Sequence, residues 1–279
     1  MLSTPPVLFA GLTLANLFLL PAPALALESP WTDTGKANVR LLAGGPSAAG
    51  AALRAGIEIR LAPGWHTYWR YPGDAGVPPR FDWSGSGNLA AVEARWPAPE
   101  RIPVEGGLQS IGYHGDVILP LRVRAKDPAR PVSLRLKLDI GVCEKICIPA
   151  EAILALDIPA SLSGNIAALD AADARVPTAA ALGKNKNFGV LAVKLERGNN
   201  PRALIEVAVP HGKPFDLFAE GPTDDWALPL PNRIAMGDGR ARFAISIEGA
   251  PAGGSRTPSK LRLTLVAGSD AIEVTAPLD

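Results

Sequence analysis

Stretches in which apolar and polar residues alternate with a period of two recur along this chain, and they restrict it to antiparallel sheet. Between Ala52 and Leu61, Leu53, Ala55, Ile57, Ile59 and Leu61 share one face, while Arg54, Glu58 and Arg60 share the other. That is the pattern of a strand with one face in a core and one in water. Val117–Val123 repeats it. So does Ser133–Ile140, where Leu134, Leu136, Leu138 and Ile140 alternate with Ser133, Arg135, Lys137 and Asp139. Ala152–Ile158 adds Leu154, Leu156 and Ile158 on one face. The connections between these strands are rich in Pro, Gly and Trp, as in Gly64–Pro79 and Trp96–Gly107. With 28 Gly and 28 Pro in the chain, long helices are disfavoured and short strands joined by turns are favoured. The expectation is an all-β protein whose first antiparallel sandwich spans 27–160.

An Ala-rich segment, 161–186, reads as a linker or strap between domains, with a short helix near Ile166–Arg175 before Pro177. Strand patterns resume at Gly189–Glu196, Arg202–Val209, Phe215–Glu220, Ala241–Ile247, Lys260–Val266 and Ala271–Thr275. Turn signals such as Gly198-Asn199-Asn200 and Gly237-Asp238-Gly239 separate most of them. A second, smaller sandwich over 187–279 is expected. The chain's 279 residues are enough for two cores, and its 47% apolar and 20% charged residues argue against disorder. Lys+Arg is 28 against Asp+Glu 27, so no basic surplus supports nucleic-acid binding or an anionic-membrane role.

The N-terminus reads as an export signal. Val7–Leu20 is apolar but short for a bilayer span, and Ala24-Leu25-Ala26 has the small-x-small pattern of a cleavage site. Met1–Pro6 carries no Lys or Arg, a departure from the usual basic leader. With residues 1–26 removed, the mature chain is expected to be an exported protein in an oxidising compartment, with no membrane insertion of its own.

Only two cysteines are present, Cys143 and Cys147, which excludes a disulfide-dense scaffold and a four-cysteine zinc site. On one straight strand they would lie about 13 Å apart, beyond bonding reach. If Glu144-Lys145-Ile146 is a hairpin loop, they face each other at about 4.5–5.5 Å between Cα atoms, a separation that suits a disulfide. That register also pairs Leu136 with Leu154 and Leu134 with Leu156, apolar with apolar. Both cysteines then fall on the polar face, near the surface, unless a bulge at Gly141 or Pro149 shifts the phase. A bridge across so short a loop contributes only about 2 kcal/mol in the chain-entropy model, so a reversible role competes with a plain structural staple. Lys145 favours a thiolate and Glu144 opposes it, and no helix N-terminus is at hand; no strongly depressed thiol pKa is expected.

Two further readings stay open on residues alone. His66 or His114 would supply a third ligand beside the two thiolates, so Cu(I) held by Cys143, Cys147 and His114 is a rival use of the pair. A non-catalytic interaction sandwich with an inert disulfide is the other. The aromatic group Trp65, Tyr68, Trp69, Tyr71, Phe81 and Trp83 reads as packing at a sandwich edge. No Ser-His-Asp elbow, HExxH or Walker pattern is present.

Several segments together resemble the periplasmic N-terminal (alpha) domain of the DsbD/ScsB thiol:disulfide interchange proteins. They are Leu61–Trp69 (LAPGWHTYW), Tyr71-Pro72-Gly73-Asp74, Gly112–Asp116 (GYHGD), Leu119-Pro120-Leu121 and Val142–Glu151 (VCEKICIPAE). The likeness covers about residues 35–160, and the second domain resembles the two-sandwich arrangement of the ScsB branch. The resemblance implies immunoglobulin-like sandwiches and a redox-active disulfide as the working group, with no other cofactor. It also implies a protein-disulfide reductase component that takes electrons from a thioredoxin-like periplasmic protein or a membrane electron carrier and reduces disulfide-containing periplasmic clients. By motif position Cys147 is the cysteine attacked by the reducing partner, and Cys143 its resolving mate. A shielding cap loop is implied near Gln109–Gly115, where this chain offers Ile111, Tyr113, His114 and Asp116. Neither the membrane carrier nor the thioredoxin-like domain of those proteins follows in this sequence, so a separate protein is expected to supply the electrons.

Overall fold

The computed structural model describes residues 27–46, 52–162, 167–223, 225–248 and 260–278. The expected export signal, residues 1–26, lies outside the described residues. The first domain contains β1 (Thr32–Asp33), β2 (Ala37–Pro46), β3 (Leu53–Leu61), β4 (His66–Gly73), β5 (Arg80–Asp82), β6 (Leu89–Ala94), β7 (Glu100–Pro103), β8 (Gln109–His114), β9 (Val117–Ala125), β10 (Val132–Cys143) and β11 (Cys147–Ile158). They form two antiparallel sheets. One has the order β1-β2-β3-β9-β6. The other runs β11-β10-β4-β8-β7, with β5 also on β10.

The alternating strands do what their patterns require. Ile57, Ile59, Leu119 and Leu121 from one sheet meet Leu134, Leu136, Leu138 and Leu154 from the other in a continuous core. The β10–β11 register is the expected one: Leu134 pairs with Leu156, Leu136 with Leu154, and Cys143 with Cys147.

One part of this domain differs from the sequence reading. Gly64–Pro79, expected as a connection, contains β4, which lies between β10 and β8 in its sheet. Its first half, His66–Trp69, is buried throughout, so it carries no polar alternation to reveal it. The Ala-rich segment is a packed strap. Its helix α1 (Ala167–Ala174) lays Leu169, 1% exposed, on the outer face of β2 and β3. A Cβ at Gly44 or Gly56 would lie 2.9 or 2.7 Å from the Leu169 methyls, so both glycines make room for it. Arg54 and Arg122 bind Asp173, and Arg54 also binds Asp170.

The second domain contains β12 (Thr178–Ala179), β13 (Gly189–Glu196), β14 (Arg202–Ala208), β15 (Phe215–Glu220), β16 (Asn232–Gly237), β17 (Arg240–Ser246), β18 (Lys260–Ala267) and β19 (Asp270–Pro277). The sheets β12-β19-β18-β15 and β13-β14-β17-β16 enclose a second core that includes Ile205, Phe243, Leu263 and Val274. The strand β16, unexpected from sequence, is an edge strand exposed at every position. Against the first domain, Glu220 accepts two hydrogen bonds from the Arg70 guanidinium at 2.9 and 2.7 Å, and Glu273 accepts a third at 2.5 Å. Trp69 packs on Phe218 with ring centroids 6.1 Å apart. The second sandwich therefore braces β4, the strand that faces the cysteines.

Candidate redox site

The β10–β11 hairpin ends in a three-residue loop, and Cys143 and Cys147 are joined across it by a disulfide with Cα atoms 4.1 Å apart. The two sulfurs are not equivalent. Cys143 is 1% exposed, whereas Cys147 is open to solvent. The expectation that both lie near the surface thus holds for one and fails for the other. The parity was right: the odd-numbered face of β10 is exposed at Lys137. Toward the hairpin tip, however, side chains of the neighbouring strand β4 cover that face. Thr67 Oγ1 donates to the Gly141 carbonyl at 2.9 Å, and the Tyr68 ring lies so close that a Cβ at Gly141 would meet its Cε2 at 2.8 Å.

Tyr68 brings its hydroxyl to both sulfurs, 2.7 Å from Cys143 Sγ and 3.2 Å from Cys147 Sγ. A disulfide sulfur has no proton, so the phenol is the donor. Burial raises the Tyr68 pKa, which keeps the phenol protonated and able to donate at neutral pH. His66 is the residue of β4 paired across the ladder with Cys143. It is 3% exposed, and its Nε2 is buried without a hydrogen-bond partner among the described residues. Burial first, then the neighbouring His114, push its pKa down; Glu100 works the other way.

Beside the disulfide lies a cleft of about 780 Å³. The segments around Ala75–Pro78 and Pro103–Leu108 form its far wall, and Ile148 and Pro149 continue from Cys147. Val77, Leu108 and, in the hairpin loop, Ile146 are large apolar side chains left exposed at 55%, 48% and 67%.

The residues expected in a cap loop sit elsewhere. Gln109–His114 is strand β8, hydrogen-bonded between β4 and β7. Ile111 and Tyr113 are core residues, 1% and 4% exposed, and the Tyr113 hydroxyl donates to the Pro97 carbonyl. His114 is exposed and pairs through Nδ1 with Glu100 at 2.8 Å; Asp116 lies 3.7 Å from the Arg60 guanidinium. None of the four lines the cleft. The sequence signal for the true flanks was exposed apolar side chains, Val77 and Leu108, in Gly- and Pro-rich stretches. Tyr68 was visible only as a member of an aromatic group, and His66 only as an alternative metal ligand, because their neighbours are distant in sequence. For the Cu(I) alternative, His114 is turned to Glu100, and among the described residues no group of three or more His, Cys, Asp or Glu side chains is placed to hold a metal ion.

An immunoglobulin-like sandwich with a half-exposed cystine at a hairpin tip is an arrangement suited to thiol–disulfide exchange. The comparisons agree. Residues 38–158 match the family described as thiol:disulfide interchange protein DsbD, N-terminal, so the first sandwich is similar to that family. The fold of nearly the whole chain is similar to the crystal structure of the N-terminal periplasmic domain of ScsB from Proteus mirabilis. That similarity has a TM-score of 0.69 at 21% identity and covers 90% of this chain and 98% of the other. It therefore extends through the second sandwich. No curated protein matches the chain. Among the described residues no helix is long and apolar enough to cross a membrane.

Proposed function

We propose that this protein is a periplasmic interchange module that receives two electrons at Cys143–Cys147 from a thioredoxin-like or membrane-carrier partner and hands them to client disulfides. The observation that carries this reading is the difference in access between the sulfurs. A partner thiolate reaches Cys147 Sγ from solvent. As its sulfur bonds there, the Cys143–Cys147 bond breaks and Cys143 leaves as a thiolate beside the Tyr68 hydroxyl. The partner's second thiol then releases reduced Cys147. In the second half-reaction Cys147 attacks a client disulfide, and Cys143 attacks Cys147 Sγ, closing the cystine and expelling the client thiolate. The apolar cleft next to Cys147 gives partner and client a surface to rest on while the sulfurs align. Periplasmic placement is supported by the export-signal pattern and by the compartment of the ScsB domain.

The test uses single-cysteine variants and a thioredoxin whose nucleophilic cysteine carries a 5-thio-2-nitrobenzoate leaving group. Cys143→Ser is expected to form the mixed disulfide readily through Cys147, and Cys147→Ser to form it at least tenfold more slowly. Equal capture by both variants would contradict the assignment.

A further inference from the structure

We infer that His66 is the proton acceptor that makes Cys143 a nucleophile when the pair closes. The inference rests on the interchange reading above and assigns a residue to its second half-reaction.

Attack on a mixed disulfide requires a thiolate. Cys143 is 1% exposed, so its thiol has no direct route to bulk water, and burial in apolar surroundings raises a thiol's pKa above its free value of about 8.5. A protein group must take the proton. The hairpin tip offers three neighbours on that face. Tyr68 is a protonated phenol and gives a hydrogen bond rather than taking a proton. Cys147 is the electrophile at that moment. His66 stands directly across the antiparallel ladder from Cys143, in a relation that places Cβ atoms about 4.5–5.5 Å apart on the same face of the sheet. Both residues line the same cleft. His66 is 3% exposed, yet its Nε2 has no partner among the described residues. A buried polar atom left without a partner costs free energy, and such atoms in native structures mark a missing ligand or a working group.

The charged surroundings are compatible with a base. Around His66 stand Tyr68 on its own strand, His114 on β8, Glu100 on β7, Cys143 on β10 and Glu144 and Lys145 in the hairpin loop. Arg80, Asp139 and Glu151 lie farther along the cleft. Burial and His114 lower the His66 pKa, so the ring is neutral and able to accept a proton at pH 7. In the step itself the Cys143 proton moves to His66, the Cys143 thiolate bonds to Cys147 Sγ, and the Cys147–client bond breaks. The departing client thiolate takes a proton from the imidazolium or from water. In the reducing direction the attacking partner thiol gives its proton to His66, which passes it to the leaving Cys143 thiolate.

The test follows the reduced protein mixed with 5,5′-dithiobis(2-nitrobenzoate). A first release of thionitrobenzoate reports attack by Cys147, and a second reports closure by Cys143. With an internal base, the thiolate–imidazolium fraction does not depend on pH between the two pKa values. The second phase of the wild type is therefore expected to be flat from about pH 6.5 to about pH 8.5. In His66→Gln it should be slowed about tenfold or more at pH 7 and rise about tenfold per pH unit, with the first phase changed less than twofold. A wild-type second phase that itself rises tenfold per unit would overturn the role of His66 without any variant. Equal second phases in the two proteins would do the same. Absence of the first phase would instead overturn the interchange reading, and this inference with it.

Discussion

Replacing Tyr68 with Phe removes one oxygen and keeps the ring that packs on Gly141 and Gly76. In the cystine that oxygen donates to neutral sulfurs at 2.7 and 3.2 Å. As a partner attacks Cys147, negative charge develops on Cys143, and the same hydrogen bond becomes charge-assisted. Such bonds contribute about 1.5–3 kcal/mol, against about 1 kcal/mol for neutral ones. The difference, about 0.5–2 kcal/mol, stabilises the transition state and not the ground state. With tenfold in rate per 1.4 kcal/mol, Tyr68→Phe should slow reduction of the cystine about 2- to 30-fold. The assay mixes oxidised protein with dithiothreitol at pH 7, quenches with acid, and counts alkylated thiols by mass. Folding stability, read from urea unfolding, should fall by only about 1 kcal/mol, the cost of the neutral bond. A rate change below twofold would refute the claim that the phenol stabilises the departing thiolate. A rate loss accompanied by loss of the fold in the absence of denaturant would refute the packing argument.

Two predictions concern the frame that holds the site. Arg70→Met removes the guanidinium that ties β4 to the second sandwich and leaves Glu220, with a side chain 11% exposed, facing only Arg262 at 3.7 Å. A loss of about 3 kcal/mol in urea unfolding is expected, with the two sandwiches melting in separate transitions; an unchanged single transition would contradict the brace. Leu169→Ala empties the seat between Gly44 and Gly56 and should cost about 2–4 kcal/mol, whereas a change below 1 kcal/mol would mean that α1 contributes little as a strap.

How much of this was legible in the sequence depended on which faces each strand exposes. The β10–β11 hairpin was readable to the residue because Leu134, Leu136, Leu154 and Leu156 alternate with polar partners, and placing the two cysteines opposite each other across a three-residue loop selects one register among those that match. The strand β4 was not, because its start is buried on both faces and its residues His66–Trp69 show no alternation. The seat of the strap was hidden for a related reason. Ala-rich composition describes a segment with small side chains, and Leu169, the residue that docks it, is a single apolar position with no periodic support. The cysteines were found by spacing. The residues that tune them were not, since the contact from Tyr68 to Cys143 joins positions 75 residues apart and depends on the pairing of β4 with β10. The misplaced cap follows from the same gap: Gly112–Asp116 carries the family likeness but folds into the core-facing β8 and its turn, while Val77 and Leu108 reach the cleft from segments with no pattern of their own.

The account stands or falls on the Cys143–Cys147 bond being an exchange partner rather than a staple. Its reduction midpoint, measured by equilibrating the protein in graded dithiothreitol buffers and counting alkylated thiols, decides this most directly. A midpoint above about −300 mV, in the range of exchange-active pairs, is the predicted result; one far below about −300 mV, where structural disulfides lie, would contradict it.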